Sequence, residues 1–196
     1  MNTSAQPRSC PELLGLRTVL GAVHADDAIH FMAMWQDPSF AKDAGIEATN
    51  NLLSLRQSLE RFALLNASGL FYKWSIRLRD QATFVGEIEA YPLKPQTSPW
   101  IEWGVGYSLM RSFWGQGLMR ESLQCVLTHL FSENLAQRVR ADVGLDNLRS
   151  QSLLRSLNFR LEGLQESKNL IDGQAVDMQL WAMSRQRFLN QTNREC

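Results

Sequence analysis

The periodicity of the apolar residues changes at Gly117, and this change constrains the fold more than any other feature of the sequence. The run 100–109 has the composition of a buried strand. After Gly117 the apolar residues recur at the spacing of one helix face: Met119, Leu123, Val126, Leu127 and Leu130. A short loop with two glycines, Gly115 and Gly117, joins the two segments. A strand, a glycine loop and a helix in this order are typical of α/β folds.

Strand-like and helix-like segments extend this interpretation along the chain. Strands are predicted at 13–23, 71–79, 83–91, 100–109, 138–144, 159–167 and 174–184, and helices near 28–35, 49–63, 117–130 and 148–157. Asp37-Pro38 should end the first helix, and Thr49 can cap the second. Asp80-Gln81 and Asp172-Gly173 indicate hairpins. The order predicts an α/β fold with a mixed, strongly twisted sheet flanked by helices.

Composition narrows the class of protein. The 196 residues contain no repeat or linker, so we expect one domain over 1–196, frayed at about 1–11 and 190–196. Twenty basic and twenty acidic residues cancel, which gives no reason to expect binding to nucleic acid or a membrane surface. The polar segment 1–11 is not expected to be a signal peptide, and no apolar run approaches the roughly 20 residues of a membrane span. The cysteines Cys10, Cys125 and Cys196 lack metal-ligand spacing, so we expect a cytoplasmic protein without a metal.

The loop before the long helix is a candidate anion site. Its glycines let the backbone approach a ligand, and the first helical turn has free N–H groups that favour an anion. The same loop could equally be a connection that only turns a corner. Its spacing is neither Gly-x-Gly-x-x-Gly nor that of a P-loop, which disfavours a nucleotide-binding protein.

Two further motifs lie on either side of the strand at 138–144. The first is Gly-Tyr-x-Leu, four residues and Trp-Gly-x-Gly, then a helical Glu, at Gly106, Tyr107, Leu109, Trp114, Gly115, Gly117 and Glu121. The second comprises Asn147, Ser150, Leu157-Asn158-Phe159 and Glu162-Gly163. Together they resemble the acyl-CoA-binding motif of GNAT acetyltransferases, specifically of the ribosomal-protein N-acetyltransferase-like subfamily. Asn158 stands where the family usually has glycine.

The resemblance implies a GNAT fold in which the strand 100–109 splays from the strand 138–144, so that acyl-CoA lies in the gap. It implies acetyl-CoA as the co-substrate. Residues implied to contact it are Leu109, Met110, Phe113, Trp114, Gly115, Gln116, Gly117, Leu118, Met119, Asn147 and Ser150. The implied reaction is direct acetyl transfer to a primary amine in a ternary complex.

Two catalytic groups are then expected. A carboxylate can accept the amine proton, and the candidates are Glu87, Glu89 and Glu102. Glu102 is favoured because its strand leads to the gap, although it could be a solvated carboxylate on an alternating strand. Ser150 is implied as the proton donor to the leaving thiolate, or else it caps a helix.

Two hypotheses follow for the function. The first is an N-acetyltransferase whose acceptor is a protein N-terminus or a small amine, with a homodimer compatible with the resemblance. The second is a catalytically idle acyl-CoA-binding sensor or interaction module. Asn169 stands where the subfamily places a base, and Leu154 where many superfamily members have an acidic tyrosine, and both keep the second hypothesis open.

Overall fold

The computed structural model describes residues 9–37, 51–95, 98–171 and 174–192. Within these ranges eight strands form one sheet. They are β1 (Leu13–Leu14), β2 (Thr18–Ala22), β3 (Tyr72–Leu78), β4 (Phe84–Pro92), β5 (Glu102–Leu109), β6 (Arg138–Gly144), β7 (Arg160–Ile171) and β8 (Gln174–Ser184). The helices of the same ranges are α1 (Ala28–Trp35), α2 (Leu52–Ser68), α3 (Leu118–Ser132), α4 (Leu148–Ser156) and α5 (Arg185–Thr192).

The sheet is mixed, as predicted. Its strand order is β1-β2-β3-β4-β5-β6-β8-β7. All neighbours are antiparallel except β5 and β6, which are parallel and are connected through α3. A parallel pair requires such a crossover, because a tight turn cannot return the chain to the same end of the sheet. The α/β fold with a mixed sheet expected from the sequence is therefore confirmed.

Several predicted boundaries were wrong. The single strand at 13–23 is two antiparallel strands, because the backbone turns between Gly15 and Thr18, where the Gly15 N–H donates to the Thr18 carbonyl over 2.8 Å. Asn51 caps α2, its side chain accepting from Ser54 N–H, whereas Thr49 lies outside the described residues. Helix α5 extends to Thr192, which lies within the range expected to be frayed.

The N-terminal segment is also fixed closer to its start than expected. The Cys10 N–H donates to the Asn66 carbonyl over 2.9 Å, and the Pro11 carbonyl accepts from the Trp74 indole over 2.7 Å. The β3–β4 hairpin is confirmed at Asp80-Gln81, where Ala82 has a φ of 52°. Strands β7 and β8 pair as predicted, although the hairpin residues Asp172 and Gly173 lie outside the described residues.

The two faces of the sheet differ in chemistry. The core face is buried against α3 and α4 by apolar side chains that include Trp74, Val105, Val139, Leu123 and Leu127. Residues that pair directly across neighbouring strands share a face. On this basis the opposite face, here called the polar face, carries Lys73, Glu87, Glu89, Tyr91, Glu102, Arg138, Arg140 and Asp142.

Helices α1 and α2 cover part of the polar face. The Lys73 ammonium lies 5.7 Å from the ring centre of Phe31 on α1 and 5.0 Å from that of Phe62 on α2. No helix among the described residues is long and apolar enough to cross a bilayer.

Candidate active site

Strands β5 and β6 part after a short pairing. Only Glu102, Trp103 and Gly104 are paired with β6, and the last pair is Gly104 with Arg140. Beyond Gly104 the strand β5 continues to Leu109, paired with β4 alone among the described strands. The strands therefore splay, as the resemblance implied.

A cavity of about 400 Å³ lies at the C-terminal end of β5. One wall is the end of β5 with the loop and first turn of α3, and the other is the start of α4. The lining residues are Tyr107, Ser108, Leu109, Phe113, Trp114, Gly115, Gly117, Leu118, Met119, Arg120, Asn147, Arg149, Ser150, Ser152 and Leu153. A cavity between two splayed strands and a helix N-terminus can hold an extended ligand.

Backbone groups of β5 point into the gap. The Met110 N–H donates to the Val85 carbonyl of β4 over 2.9 Å. Peptide groups alternate in direction along a strand, so those of Tyr107 and Leu109 point to the opposite edge, towards β6. The Leu109 carbonyl accepts from the Trp114 indole N–H over 2.9 Å, which holds the indole at the cavity. Tyr107 and Leu109, rather than Met110, thus present main-chain groups to the gap.

The loop before α3 has the geometry of an anion cradle. Gly115 and Gly117 have φ values of 74° and 75°, a conformation that other residues rarely adopt. A Cβ atom at Gly115 would meet nothing within 4 Å, so this loop is open on the outside. The N–H groups of Leu118, Met119 and Arg120 lie in the first turn, where α-helical geometry provides no intrahelical acceptor. These features fit a diphosphate.

A hydrogen-bonded clamp fixes the loop and α3 to β2. The Glu121 Oε1 accepts from the Arg17 N–H, the Thr18 N–H and the Thr18 hydroxyl over 2.7 to 3.0 Å. The Arg17 guanidinium donates to Glu121 Oε2 over 3.0 Å and to the Gln116 carbonyl over 2.9 Å. Burial raises the pKa of Glu121, but the bonds from Arg17 and Thr18 outweigh it, and the net shift is downward.

The start of α4 brings two hydroxyl groups together. The Asn147 side chain accepts from the Ser150 N–H over 3.0 Å, so Asn147 and not Ser150 caps the helix. The alternative in which Ser150 caps the helix is therefore wrong. The Ser150 hydroxyl instead hydrogen-bonds the Tyr107 hydroxyl over 3.0 Å. Burial raises the pKa of Tyr107 to about 12, so the phenol keeps its proton at neutral pH.

Two glycines on β5 leave room on the polar face for two side chains of β4. These side chains lie near the place just beyond Gly104 where β5 and β6 separate, here called the parting point. A Cβ at Gly104 would lie 2.6 Å from the Tyr91 ring, and one at Gly106 would lie 3.1 Å from Glu89 Oε1. The side chains of Tyr91 and Glu89 therefore lie over β5, towards the gap. The other oxygen, Glu89 Oε2, accepts from the Lys73 ammonium over 2.9 Å.

Lys73 also forms an ion pair with Glu87, and both side chains are buried. Burial raises the pKa of Glu87, an effect that Lys73 opposes only in part. Burial lowers the pKa of Lys73, but the carboxylates of Glu87 and Glu89 outweigh it and raise this pKa. Burial and the nearby charges of Glu89 and Asp142 raise the pKa of Tyr91. Glu89, Tyr91 and Asp142 are therefore neighbours around the parting point.

Glu102 lies apart from this group. Like Glu89, it does not line the cavity, and its Oε1 accepts from Arg138 Nε over 2.9 Å. Arg138 also pairs with Glu162, so the three side chains form a network at the paired end of β5 and β6. The Glu102 side chain is 10% exposed, compared with 32% for Glu89.

Most residues predicted to contact the co-substrate line the cavity. The exceptions are Met110, whose N–H is bound to β4, and Gln116, whose carbonyl accepts from Arg17. Their assignment as ligand contacts stays a prediction for the whole set. Sequence reasoning gave no role to Tyr107, Arg120 and Arg149, which also line the cavity. Arg149 could have been found because it lies between Asn147 and Ser150 in the second motif.

Comparison with known proteins identifies the family. The model of the acetyltransferase (GNAT) domain matches residues 17–160, well over half of the 196 residues. The chain belongs to the GNAT acetyltransferase family. This confirms the family resemblance and the acyltransferase class that the sequence predicted.

Within the described residues no group of three or more His, Cys, Asp or Glu side chains could hold a metal ion.

Relatives of this GNAT chain include named N-acetyltransferases. An uncharacterized N-acetyltransferase p20 from Bacillus licheniformis is 24% identical over 172 residues, which cover 88% of this chain and 95% of that protein. The ribosomal protein uS5-alanine N-acetyltransferase of Escherichia coli is 35% identical over 80 residues, 41% of each chain. A solved ribosomal L7/L12 alpha-N-protein acetyltransferase in complex with coenzyme A has a TM-score of 0.77 at 20% identity, covering 89% of this chain and 98% of that chain.

Proposed function

We propose that this protein transfers an acetyl group from acetyl-CoA to a primary amine, directly in a ternary complex. The proposal rests on the cavity between the splayed strands β5 and β6. Backbone groups of β5 that face the gap line one part of this cavity, and the anion cradle before α3 lines another. Acetyl-CoA, which supplies an activated thioester, has an extended pantetheine arm and a diphosphate that match these two parts. A solved relative of the same fold was crystallised with coenzyme A.

The acceptor amine must lose a proton, and Glu89 is the group that we assign to accept it, directly or through water. Its carboxylate lies over Gly106 at the parting point, where a thioester in the gap can be reached from the polar face. Lys73 binds one carboxylate oxygen and leaves the other directed towards Gly106. Glu102, the base favoured by the sequence, is held by Arg138 instead.

The departing thiolate must gain a proton, and we assign its donation to Ser150 supported by Tyr107. As the C–N bond forms and the C–S bond breaks, one proton leaves the amine to Glu89 and one reaches the sulfur from the hydroxyl pair. The hydroxyl pair then regains a proton from water, and Glu89 releases its own to water. Both hydroxyls line the cavity and are bonded to each other over 3.0 Å. The backbone N–H groups of β5 that face the gap can stabilise the negative charge on the carbonyl oxygen.

The decisive experiment measures free-thiol release from acetyl-CoA with a panel of amines. The panel contains peptides with N-terminal alanine or serine, polyamines and amino acids. One relative is named as a ribosomal-protein alanine N-acetyltransferase, and one structural neighbour is described as modifying an N-terminal serine. We expect turnover with at least one acceptor. Glu89→Gln should lower kcat by about 10²- to 10⁴-fold, the usual contribution of a general base. Its affinity for coenzyme A, measured by calorimetry, should stay unchanged.

Two control variants sharpen the result. Glu60→Gln, at an exposed position of α2, should behave as the wild type. Full activity of Glu89→Gln with loss of activity in Glu102→Gln would move the base to Glu102. Coenzyme A binding without turnover on the whole panel would favour the idle binding module. Absence of both binding and turnover at millimolar coenzyme A would contradict the proposal as a whole.

A further inference from the structure

The mouth of the cavity is bridged by a cation–π contact. The Arg149 guanidinium carbon lies 4.0 Å from the ring centre of Trp114. Trp114 belongs to the loop before α3 and Arg149 to α4, so the contact joins the two walls of the cavity. The indole is itself fixed by the bond from its N–H to the Leu109 carbonyl. The arginine side chain is thus held in place by a ring that cannot rotate without losing a hydrogen bond.

Basic side chains lie on both walls of the cavity. Among the described residues that line it are Arg120 of α3 and Arg149 of α4, and none of these lining residues is an aspartate or glutamate. A third arginine, Arg111, lies 5.8 Å from the ring centre of Trp114. The carboxylate in the first turn of α3, Glu121, is directed to Arg17 and Thr18 at β2. The dipole of α3 adds partial positive charge at the same end.

We infer that Arg149 binds a phosphate group of the coenzyme A nucleotide and that Trp114 positions it for this contact. A guanidinium can donate up to five hydrogen bonds in a fixed plane and matches phosphate oxygens, and an aromatic ring contacts its flat face rather than its N–H edge. Arg149 is exposed at the rim and lines the cavity that contains the loop of Gly115 and Gly117. The inference rests on the proposed function, because it takes the ligand to be coenzyme A.

The test compares three ligands by calorimetry: coenzyme A, dephospho-coenzyme A, which lacks the 3′-phosphate, and pantetheine, which lacks every phosphate. Arg149→Ala should weaken the binding of coenzyme A by about 10- to 100-fold, as expected for charge-assisted hydrogen bonds, and leave pantetheine binding unchanged. Arg149→Lys should recover part of the affinity. If Arg149→Ala weakens the binding of dephospho-coenzyme A as much as that of coenzyme A, the contact is to the diphosphate. If the substitution does not change the binding of dephospho-coenzyme A, the contact is to the 3′-phosphate.

The positioning role of Trp114 is tested by a double-mutant cycle. Trp114→Leu should reduce the preference for coenzyme A over pantetheine, and combination with Arg149→Ala should reduce that preference no further. Arg61→Ala, at an exposed site of α2 outside the cavity lining, is the matched control for loss of one positive charge.

Two results would overturn the inference. Unchanged coenzyme A affinity in Arg149→Ala would show that the side chain makes no contact with the ligand. Equal weakening of coenzyme A and pantetheine would show a structural effect on the cavity rather than phosphate recognition. Failure of the wild type to bind any of the three ligands is a different outcome, since it would remove the proposed function itself.

Discussion

At the scale of single residues, Ser150 and Tyr107 form the least expected part of the site. The motif predicted Ser150 as a donor, but gave no reason to connect it with a tyrosine on β5. The structure joins their hydroxyls over 3.0 Å, and burial keeps the Tyr107 phenol protonated. A phenol with a pKa of about 12 is a weak acid in its own right. The role that we propose for it is therefore to orient the serine hydroxyl.

This pairing predicts that the two hydroxyls act as a unit. Ser150→Ala and Tyr107→Phe should each lower kcat by about 10-fold, and the double variant should be little slower than the worse single variant. The readout is thiol release at saturating acetyl-CoA. Ser156→Ala, which removes an exposed hydroxyl of α4 outside the cavity lining, serves as the control and should retain activity. Multiplication of the two single effects in the double variant would show that the groups act independently.

At the scale of elements, the clamp of Glu121 with Arg17 and Thr18 holds α3 and its loop against β2. We predict that Glu121→Gln lowers the free energy of unfolding by about 1 to 3 kcal/mol at neutral pH, because hydrogen bonds to a charged acceptor are lost. The folded-state pKa of Glu121 is lowered, so its stabilisation is present above the unfolded pKa, 4.5, and lost as pH falls through the folded value.

The difference between the wild type and Glu121→Gln should therefore shrink as the pH is lowered below 4.5. Urea unfolding at several pH values measures this difference. The variant should also bind coenzyme A more weakly, since Arg17 would no longer be held against the Gln116 carbonyl. Glu60→Gln, on the exposed side of α2, should show neither effect. A stability difference that does not depend on pH would contradict the role assigned to the carboxylate.

The elements themselves were largely predictable, because each depends on a local pattern. Strand β6 and strand β8 were predicted with their observed bounds, and Asn158 takes the left-handed φ of 62° expected where the family has glycine. Helix α5 was missed, since its packing rests mainly on one buried aromatic side chain, Phe188. The turn between β1 and β2 was missed because the apolar run continues across it.

The site was less predictable than the fold, because it depends on contacts between distant strands. Alternation in β4 shows that Glu87, Glu89 and Tyr91 share a face. It cannot show that Gly104 and Gly106 leave room for Tyr91 and Glu89 over β5, which requires the register of the two strands. The ion pair that occupies Glu102 likewise joins residues 36 positions apart. Sequence reasoning could therefore name the candidate bases and favour Glu102, but it could not see the contacts that distinguish Glu89 from Glu102.

At the scale of the whole molecule, the two faces of the sheet contribute differently: one provides apolar packing, and the other carries the charged side chains near the gap. Its core face is sealed by α3 and α4, while the polar face keeps its charged side chains in ion pairs around the parting point of β5 and β6. The cavity proposed for acetyl-CoA opens at one end of the gap, and Glu89 lies over β5 on the polar face. Two ligands can then meet at the gap from different directions, as direct transfer requires.

Two groups that ionise at alkaline pH, the Cys10 thiol and the Tyr107 phenol, are packed in the protein interior. We therefore predict that the protein loses stability at alkaline pH. Burial raises the pKa of Cys10 from 9.0 to about 12, and that of Tyr107 from 10.0 to about 12. Between the unfolded and folded values the native state holds more protons than the unfolded state. The free energy of unfolding should therefore be intact below pH 9.0 and fall as the pH rises towards about 12.

Urea unfolding at about pH 8 and about pH 10.5 should show this fall, and Cys10→Ala should reduce it by an amount on the order of 1 kcal/mol. In the wild type, ionisation of the Cys10 thiol stabilises the unfolded chain at alkaline pH, and alanine has no such group. Cys10 is a suitable probe because it packs on the core at the edge of β3 and lies outside the cavity lining. An identical fall in Cys10→Ala and the wild type would show that the thiol ionises as readily in the folded protein as in the unfolded chain.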